Sequence, residues 1–228
     1  LDCGPAIMRQ LELAGLDAGD PTHVIVSHQH GDHTLGLPML LLNRVLFWPE
    51  RPLLVLAMRP VLAVLQQLVM LAYPDLSQRL AETVEFAALD DRQGSYQLPR
   101  AGEINYAMTP VRHSVPTWGI RLVCGIPDGR SVVYSGDTAP TRAIVALAAG
   151  ADLLVHDTFF LTPPADHYSG HSAAEQVGAI AAEAGVRMLA LVHREHTDAA
   201  YAADYCAAAA AHFPGLILAP NAGDSYRI

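Results

Sequence analysis

Lysine is missing from this 228-residue chain, and its 14 basic residues are all arginine. Set against 23 acidic residues, they leave a formal charge of −9 with histidine neutral. That balance argues against broad binding of a phosphate backbone, which needs clustered cations. Cysteine is scarce too. Cys3, Cys124 and Cys206 are scattered, with no CxxC spacing, and read as reduced, structural thiols of a cytoplasmic protein. No secretory leader is visible. No apolar run is long enough to span a bilayer: residues 52–74 come nearest, and Arg59, Pro60 and the Gln66-Gln67 pair break them. A buried or dimer-facing helix is the better reading. With 51% apolar and only 16% charged residues, the chain is globular and long enough for one domain over residues 1–228. It opens without Met on Leu1-Asp2-Cys3-Gly4, which reads as the end of a buried strand entering a glycine turn. Strands upstream of it are expected to be missing.

What is present alternates between strand and helix signals. Strands are predicted over residues 22–27, 52–57 and 83–89. Helices are predicted over 35–46 and around Val61, Val64, Leu65, Leu68 and Val69. Residues 95–135 read as β, with strands at 104–111, 119–125 and 131–135 and a Pro127-Asp128-Gly129 hairpin turn. After them come a helix over 140–149 closed by Gly150 and a strand over 152–156. Ser172 to Glu175 reads as a capping box opening a helix to Ala184 and Gly185. A strand over 187–192 follows. Asp198 is expected to cap an alanine-rich helix to His212, to which no function is assigned, and residues 216–218 form a last strand. No linker divides the chain. One α/β domain with a large antiparallel component follows.

The chemistry is concentrated at strand ends. Residues 28–33 read His-Gln-His-Gly-Asp-His directly behind the apolar run 24–26. His28, His30, Asp32 and His33 are ligand types that zinc, iron and manganese share. A strand aiming alternate side chains at one point, and a turn sending the next pair to a second, builds two adjacent cations, which usually mean hydrolysis. His113 closes a second strand; alone it would more often be structural. Asp137 follows a third through Gly136, and a carboxylate there can bridge two metals or cap the helix after Pro140. His193 closes a fourth. Four strand tips carrying ligands form a strong joint signal, because active sites of layered α/β domains collect at strand ends. His171 precedes the predicted capping box, and the helix dipole there would help it give up a proton as a general acid. His156 with Asp157 ends a strand close by and reads as a supporting pair. His167 lies in a loop that can cover the pocket, and His23, His196 and His212 carry weaker signals.

Taken in order, these pieces resemble the metallo-β-lactamase superfamily, in its ribonuclease Z-like branch. Asp2 resembles the first motif, residues 28–33 followed by Gly36 the HxHxDH signature, His113-Ser114 the third and Ser135-Gly136-Asp137-Thr138 the fourth. Gly170-His171-Ser172 resembles the branch's catalytic-histidine motif, and His193 its last ligand. The resemblance implies a four-layer αββα sandwich, here lacking its first N-terminal strands. It implies two divalent ions, zinc by default with manganese or iron as alternatives. One would lie on His28, His30 and His113, and the other on Asp32, His33 and His193, with Asp137 bridging. The pair lowers the pKa of a bridging water, Asp32 helps orient it, and His171 assists the leaving group. Ribonuclease Z proper carries a long tRNA-grasping arm between the third-motif histidine and the bridging aspartate. Here His113 and Asp137 are 24 positions apart with a hairpin between them. The expected substrate is therefore a small or cyclic phosphodiester or nucleotide. tRNA 3′ processing, or lactone, ester or sulfate-ester hydrolysis on the same site, are the alternatives. No membrane partner is expected, and a homodimer is compatible with the family.

Overall fold

The computed structural model describes residues 1–90, 95–125, 129–165, 170–196 and 199–226. It divides into two compact units, one of residues 1–90 with 222–225, the other of residues 91–221 with 226–228.

The first unit is a parallel three-stranded sheet in the order β1-β2-β3: β1 (His23–Val26), β2 (Leu53–Ala57) and β3 (Val84–Ala88). Every residue of β2 is buried, as a central strand covered on both faces requires. The register aligns Val26 with Ala57 and Ala57 with Ala88, so all three strands end at one edge. After α1 (Ile7–Leu13), the helices are α2 (Gly31–Thr34), α3 (Leu37–Phe47), α4 (Arg59–Ala72) and α5 (Ser77–Thr83). The sequence does not announce α1 or α5, each only seven residues long. Residues 1–4, read as a strand end, form no strand; the Asp2 amide bonds to the Ile25 carbonyl instead. Among the described residues no helix is long and apolar enough to cross a membrane.

One buried cation ties the loops of this unit. Arg44 on α3 is only 1% exposed. Its guanidinium donates to the carbonyls of Ala18 (2.6 Å), Pro21 (2.8 Å), Arg51 (2.8 Å) and Pro52 (3.0 Å). These bonds connect the segment entering β1 to the segment entering β2.

The second unit is a seven-stranded mixed sheet in the order β10-β9-β8-β7-β6-β5-β4. Its strands are β4 (Tyr96–Gln97), β5 (Ile104–Pro110), β6 (Trp118–Cys124), β7 (Arg130–Tyr134), β8 (Leu153–Asp157), β9 (Met188–Val192) and β10 (Leu216–Leu218). β4 to β7 pair antiparallel and β7 to β10 parallel. Two antiparallel steps restore direction, so β5, β7, β8 and β9 all run the same way and finish at one edge. The β6–β7 pairing bears out the hairpin, while its Pro127-Asp128 turn lies outside the described residues.

Helices α6 (Arg142–Leu147), α7 (Ala174–Ala184) and α8 (Ala199–Ala210) make the parallel crossovers. They close a core of Val133, Leu154, Leu189 and Leu191 against Ile144, Val177, Ala181, Tyr205 and Ala209. A Cβ on Gly178 would stand 2.2 Å from the Ala209 carbonyl oxygen, so α7 and α8 approach backbone to backbone. The alanine run, to which composition assigned nothing, allows that approach.

Two expected caps differ. Asp137 does not cap α6; Thr141 does, its Oγ1 accepting from the Ala143 amide. α7 is capped from Ala173, whose amide donates to Gln176 Oε1, one residue beyond the predicted box. Ser172 is drawn away because its hydroxyl donates to the Thr138 carbonyl at 2.7 Å. Gly185 ends α7 in the left-handed region, as expected. Asp198 lies outside the described residues.

Two stability predictions follow from these bonds. Arg44→Met removes the donor from four carbonyls and should lower unfolding free energy by about 3 kcal/mol in a urea titration. Asp152 accepts from the Ser131 amide and then from Arg130 and Arg187, which bring its carboxyl down to about 2 against the opposing effect of burial. A depressed folded-state pKa means stability present above about pH 4 and lost as pH falls toward about 2. Both arginines are exposed, so Asp152→Asn should cost only on the order of 1 kcal/mol at pH 7, and the difference from the parent should vanish near pH 2 in thermal melts.

Candidate metal centre

In the first unit, β1 ends at Val26 and the chain turns through Ser27 into the ligand segment. His30 stands at the N-cap of α2, so Asp32 and His33 fall on the first helical turn. Two close approaches hold this turn against residues 2–4. A Cβ on Gly36 would lie 2.0 Å from the Gly4 carbonyl oxygen, and one on Gly4 2.3 Å from that of Asp32. The glycine following the histidine signature is thus a steric requirement.

Asp2 organises the cluster. Its carboxylate accepts from the Ser27 amide (2.7 Å), the Ser27 hydroxyl (3.0 Å) and His33 Nδ1 (2.8 Å). The Ser27 proton is committed to Asp2, so the serine oxygen accepts from His28 Nδ1 at 3.0 Å. His28 Nε2 then faces His30 Nδ1 at 3.2 Å, and His33 Nε2 lies 3.4 Å from Asp32 Oδ2. One carboxylate therefore sets the tautomers of two imidazoles, which turns their second nitrogens toward a common space. That is how proteins orient histidine ligands. Asp2 adopts φ 57°, a left-handed conformation unusual for a side chain other than glycine. Cys3 beside it is buried, and burial pushes its thiol up to about 12.

In the second unit, the co-directional strands deliver His113 after β5, Asp137 after β7, Asp157 at the end of β8 and His193 after β9. Gly136 takes φ 60° to bring Asp137 round, and His193 itself takes φ 55°. Asp137 Oδ2 lies 3.4 Å from His193 Nε2, 3.9 Å from His171 Nδ1 and 4.0 Å from His113 Nε2. Its side chain is 2% exposed. A buried carboxylate ringed by imidazole nitrogens is a favourable seat for a cation. His113 Nδ1 donates to the Gly170 carbonyl at 2.8 Å, which again turns Nε2 inward.

Asp157 is the residue whose weight the sequence understated. Its Oδ2 accepts from His171 Nδ1 at 2.9 Å and from the Thr138 amide at 2.9 Å, and its Oδ1 from the Phe159 amide at 3.2 Å. The helix terminus expected to act on His171 begins only at Ala174, so the nearer influence is this carboxylate. His171 also stacks on His193 (centroids 5.2 Å, 12°) and on Phe159 (4.9 Å, 28°). With Nδ1 held by Asp157, Nε2 is the atom that can exchange a proton. His156, paired with Asp157 at the sequence level, plays no such part. It faces the opposite side of β8, fully buried, with Nδ1 on the Asp157 carbonyl at 2.6 Å, and desolvation lowers its pKa.

The predicted residues thus fall into two groups. His28, His30, Asp32 and His33 gather in the first unit, and His113, Asp137, His171 and His193 in the second. The weaker histidines stay out: His23 bonds to Thr22 Oγ1, and His196 stacks on Tyr201 at the surface. His167 lies outside the described residues. The donor sets fit divalent metal, since several imidazoles keep one nitrogen on a protein acceptor while the other faces carboxylates and neighbouring imidazoles.

A model of the beta-lactamase superfamily domain matches residues 1–194, and the chain belongs to that superfamily, in its ribonuclease Z-like branch. Ribonuclease Z of Shouchella clausii (strain KSM-K16) is 32% identical over 261 residues, which cover 96% of this chain and 84% of the relative. The Bacillus subtilis metallo-beta-lactamase fold protein YhfI has a similar fold (TM-score 0.77, 22% identity, 98% of this chain and 83% of that one). So does human tRNase Z, short form (TM-score 0.70, 23% identity, 97% and 85%). The fold together with these relatives makes the chain a metal-dependent hydrolase. The mixed α/β architecture expected from the motifs is the one found.

Gly170 makes the second group testable. A Cβ there would stand 2.4 Å from His113 Nδ1. Gly170→Ala should displace the imidazole, cut metal content measured by elemental analysis to about half or less, and leave the melting temperature within a few degrees.

Proposed function

We propose that this chain is a dinuclear metal phosphodiesterase acting on small or cyclic phosphodiesters. His28, His30 and His113 would hold one ion and Asp32, His33 and His193 the other, with Asp137 shared. Bound there, two divalent ions, taken as zinc, supply Lewis acidity and an activated water at neutral pH. Asp32 accepts a hydrogen bond from the attacking water and aligns it with phosphorus. His171 Nε2 delivers a proton to the leaving oxygen. The Asp157 carboxylate, already bonded to Nδ1, offsets the imidazolium charge and holds the ring in place. We further propose that residues 1–228 form one catalytic domain, in the cytoplasm.

The observation that carries the choice of a small substrate is the β6–β7 hairpin. Cys124 pairs with Arg130, which leaves five positions between them where the family's tRNA arm would extend. A match over 261 residues against a chain of 228 also leaves at least 33 positions of the relative without counterpart in this chain. A charge of −9 adds no affinity for tRNA.

A second reading, tRNA 3′ processing, is favoured by the relatives named ribonuclease Z, of which this chain covers most of the length. A substrate panel separates the readings. Hydrolysis of bis(p-nitrophenyl) phosphate and a cyclic nucleotide, abolished by a chelator, is expected, with no cleavage of 3′-extended tRNA. His171→Ala should lower kcat by about 10²–10⁴-fold with metal content unchanged. Faster turnover of a lactone, carboxylic ester or sulfate ester would replace the phosphodiester assignment, and efficient tRNA cleavage would restore the second reading.

A further inference from the structure

His171 stands on the loop before α7, and its side chain is 20% exposed. The bond from Nδ1 to Asp157 Oδ2 at 2.9 Å holds one corner of its ring. A single hydrogen bond at one corner does not fix the plane of an imidazole. The ring can still turn about the N···O line, and Nε2, at its far side, then sweeps an arc. A proton donor needs that atom in place, because a shift of about 1 Å at a reacting group can cost on the order of 10²-fold in rate. A second constraint has to act on the face of the ring.

Phe159 lies on that face. Among the described residues four rings border His171: those of His113, Phe159, Phe160 and His193. His113 and His193 are proposed ligands. Phe159 is not, and its ring stacks on the imidazole with centroids 4.9 Å apart and planes 28° from parallel. Phe160 stands 5.0 Å from Phe159 and 6.5 Å from His171, steeply inclined to both. With the 4.9 Å of the stack, these distances make nearly a right angle at Phe159, so Phe160 closes the side of the stack rather than lengthening it. The backbone under Phe159 is held from two directions. Its amide donates to Asp157 Oδ1 at 3.2 Å, so one carboxylate grips both His171 and the residue stacked on it. Its carbonyl accepts from the Glu195 amide at 3.0 Å and from the hydroxyl of Tyr205 at 2.8 Å. Tyr205 is fully buried on α8, and the proposed mechanism gives that hydroxyl no part. Phe160 then ties in the loop of His171, its amide donating to the Ser172 carbonyl at 3.2 Å and its carbonyl accepting from the Ala174 amide at 3.0 Å.

We propose that Phe159 is a positioning residue for the reaction, its ring setting the plane of His171 so that Nε2 meets the leaving oxygen. The proposal rests on His171 as the proton donor of the phosphodiesterase described above. A phenyl ring has no proton to exchange, so Phe159 acts only through the imidazole it faces. Its flat face is the working feature: leucine fills a similar volume without one, and tyrosine keeps it.

The test is a mutant cycle on the zinc-loaded full chain with bis(p-nitrophenyl) phosphate. Phe159→Leu should lower kcat by about 10–10²-fold and leave KM within about twofold, with metal content unchanged and the melting temperature within a few degrees. Phe159→Tyr should keep kcat within about threefold of the parent. In a His171→Ala background Phe159→Leu should cost nothing further, because the ring it positions is gone. Equal losses in the two backgrounds would mark Phe159 as packing alone and overturn the proposal. So would a loss in KM or metal content in place of kcat, or a Phe159→Tyr variant as slow as Phe159→Leu. Full activity in His171→Ala would remove the proton donor, and this proposal with it; a slow His171→Ala beside a fully active Phe159→Leu would remove this proposal alone. A second readout needs no turnover. Phe159→Leu should move the proton resonances of the His171 ring downfield, as loss of a stacked ring's shielding requires, and Phe159→Tyr should leave them in place. Unmoved resonances would overturn the stack even where no phosphodiester is cleaved.

Discussion

A metal-binding imidazole almost always commits its other nitrogen to a hydrogen bond, and that constraint governs the candidate ligand group of each unit. Asp2 takes the Nδ1 proton of His33 directly and that of His28 through Ser27. The Gly170 carbonyl does the same for His113, and Asp157 for His171. Each acceptor is fixed by the backbone around it. Asp2 is held by the Ser27 amide, and Asp157 by the amides of Thr138 and Phe159. The histidines are thus aimed in advance, and little reorganisation is left for the moment of binding.

The sheets exist, in this sense, to bring those acceptors into range. Parallel strands end together, so a loop after each one opens onto the same edge. In the second unit the antiparallel excursion through β6 returns the chain in the direction of β5, which is why His113 joins Asp137, Asp157 and His193 although its strand is separated from theirs. The local cost is visible in the backbone. Asp2 and His193 both adopt left-handed conformations at which side chains other than glycine are disfavoured by about 1–2 kcal/mol. The surrounding packing sustains that strain where it serves the cluster.

Two features shape the surface that this chain offers. The hairpin between β6 and β7 is short, and the outer side of α3 is apolar, with Met39, Leu46 and Phe47 exposed. Both alter what can approach. A chain without lysine and with a net charge of −9 offers a phosphate backbone few counter-charges.

Ligand identity was legible along the chain because the signature is local: His28, His30, Asp32 and His33 are read in six positions, and a strand-terminal His113, Asp137 or His193 is marked by the apolar run before it. Strand and helix periods were equally plain wherever one face is buried. What needed the tertiary structure were the partners. Nothing near Asp2 announces that it will hold Ser27 and His33, 25 and 31 positions away. Asp157 looked no more important than His156, and alternation on β8 sent the first to His171 and the second to the far face. Ser172 was read as a cap, yet the Thr138 carbonyl 34 positions back claimed its hydroxyl. Side-chain type and local period are properties of a segment, so the sequence alone determined the fold class and the chemistry of the donors. Which acceptor each donor meets depends on distant segments packed at 3 Å, and only the folded chain decided that.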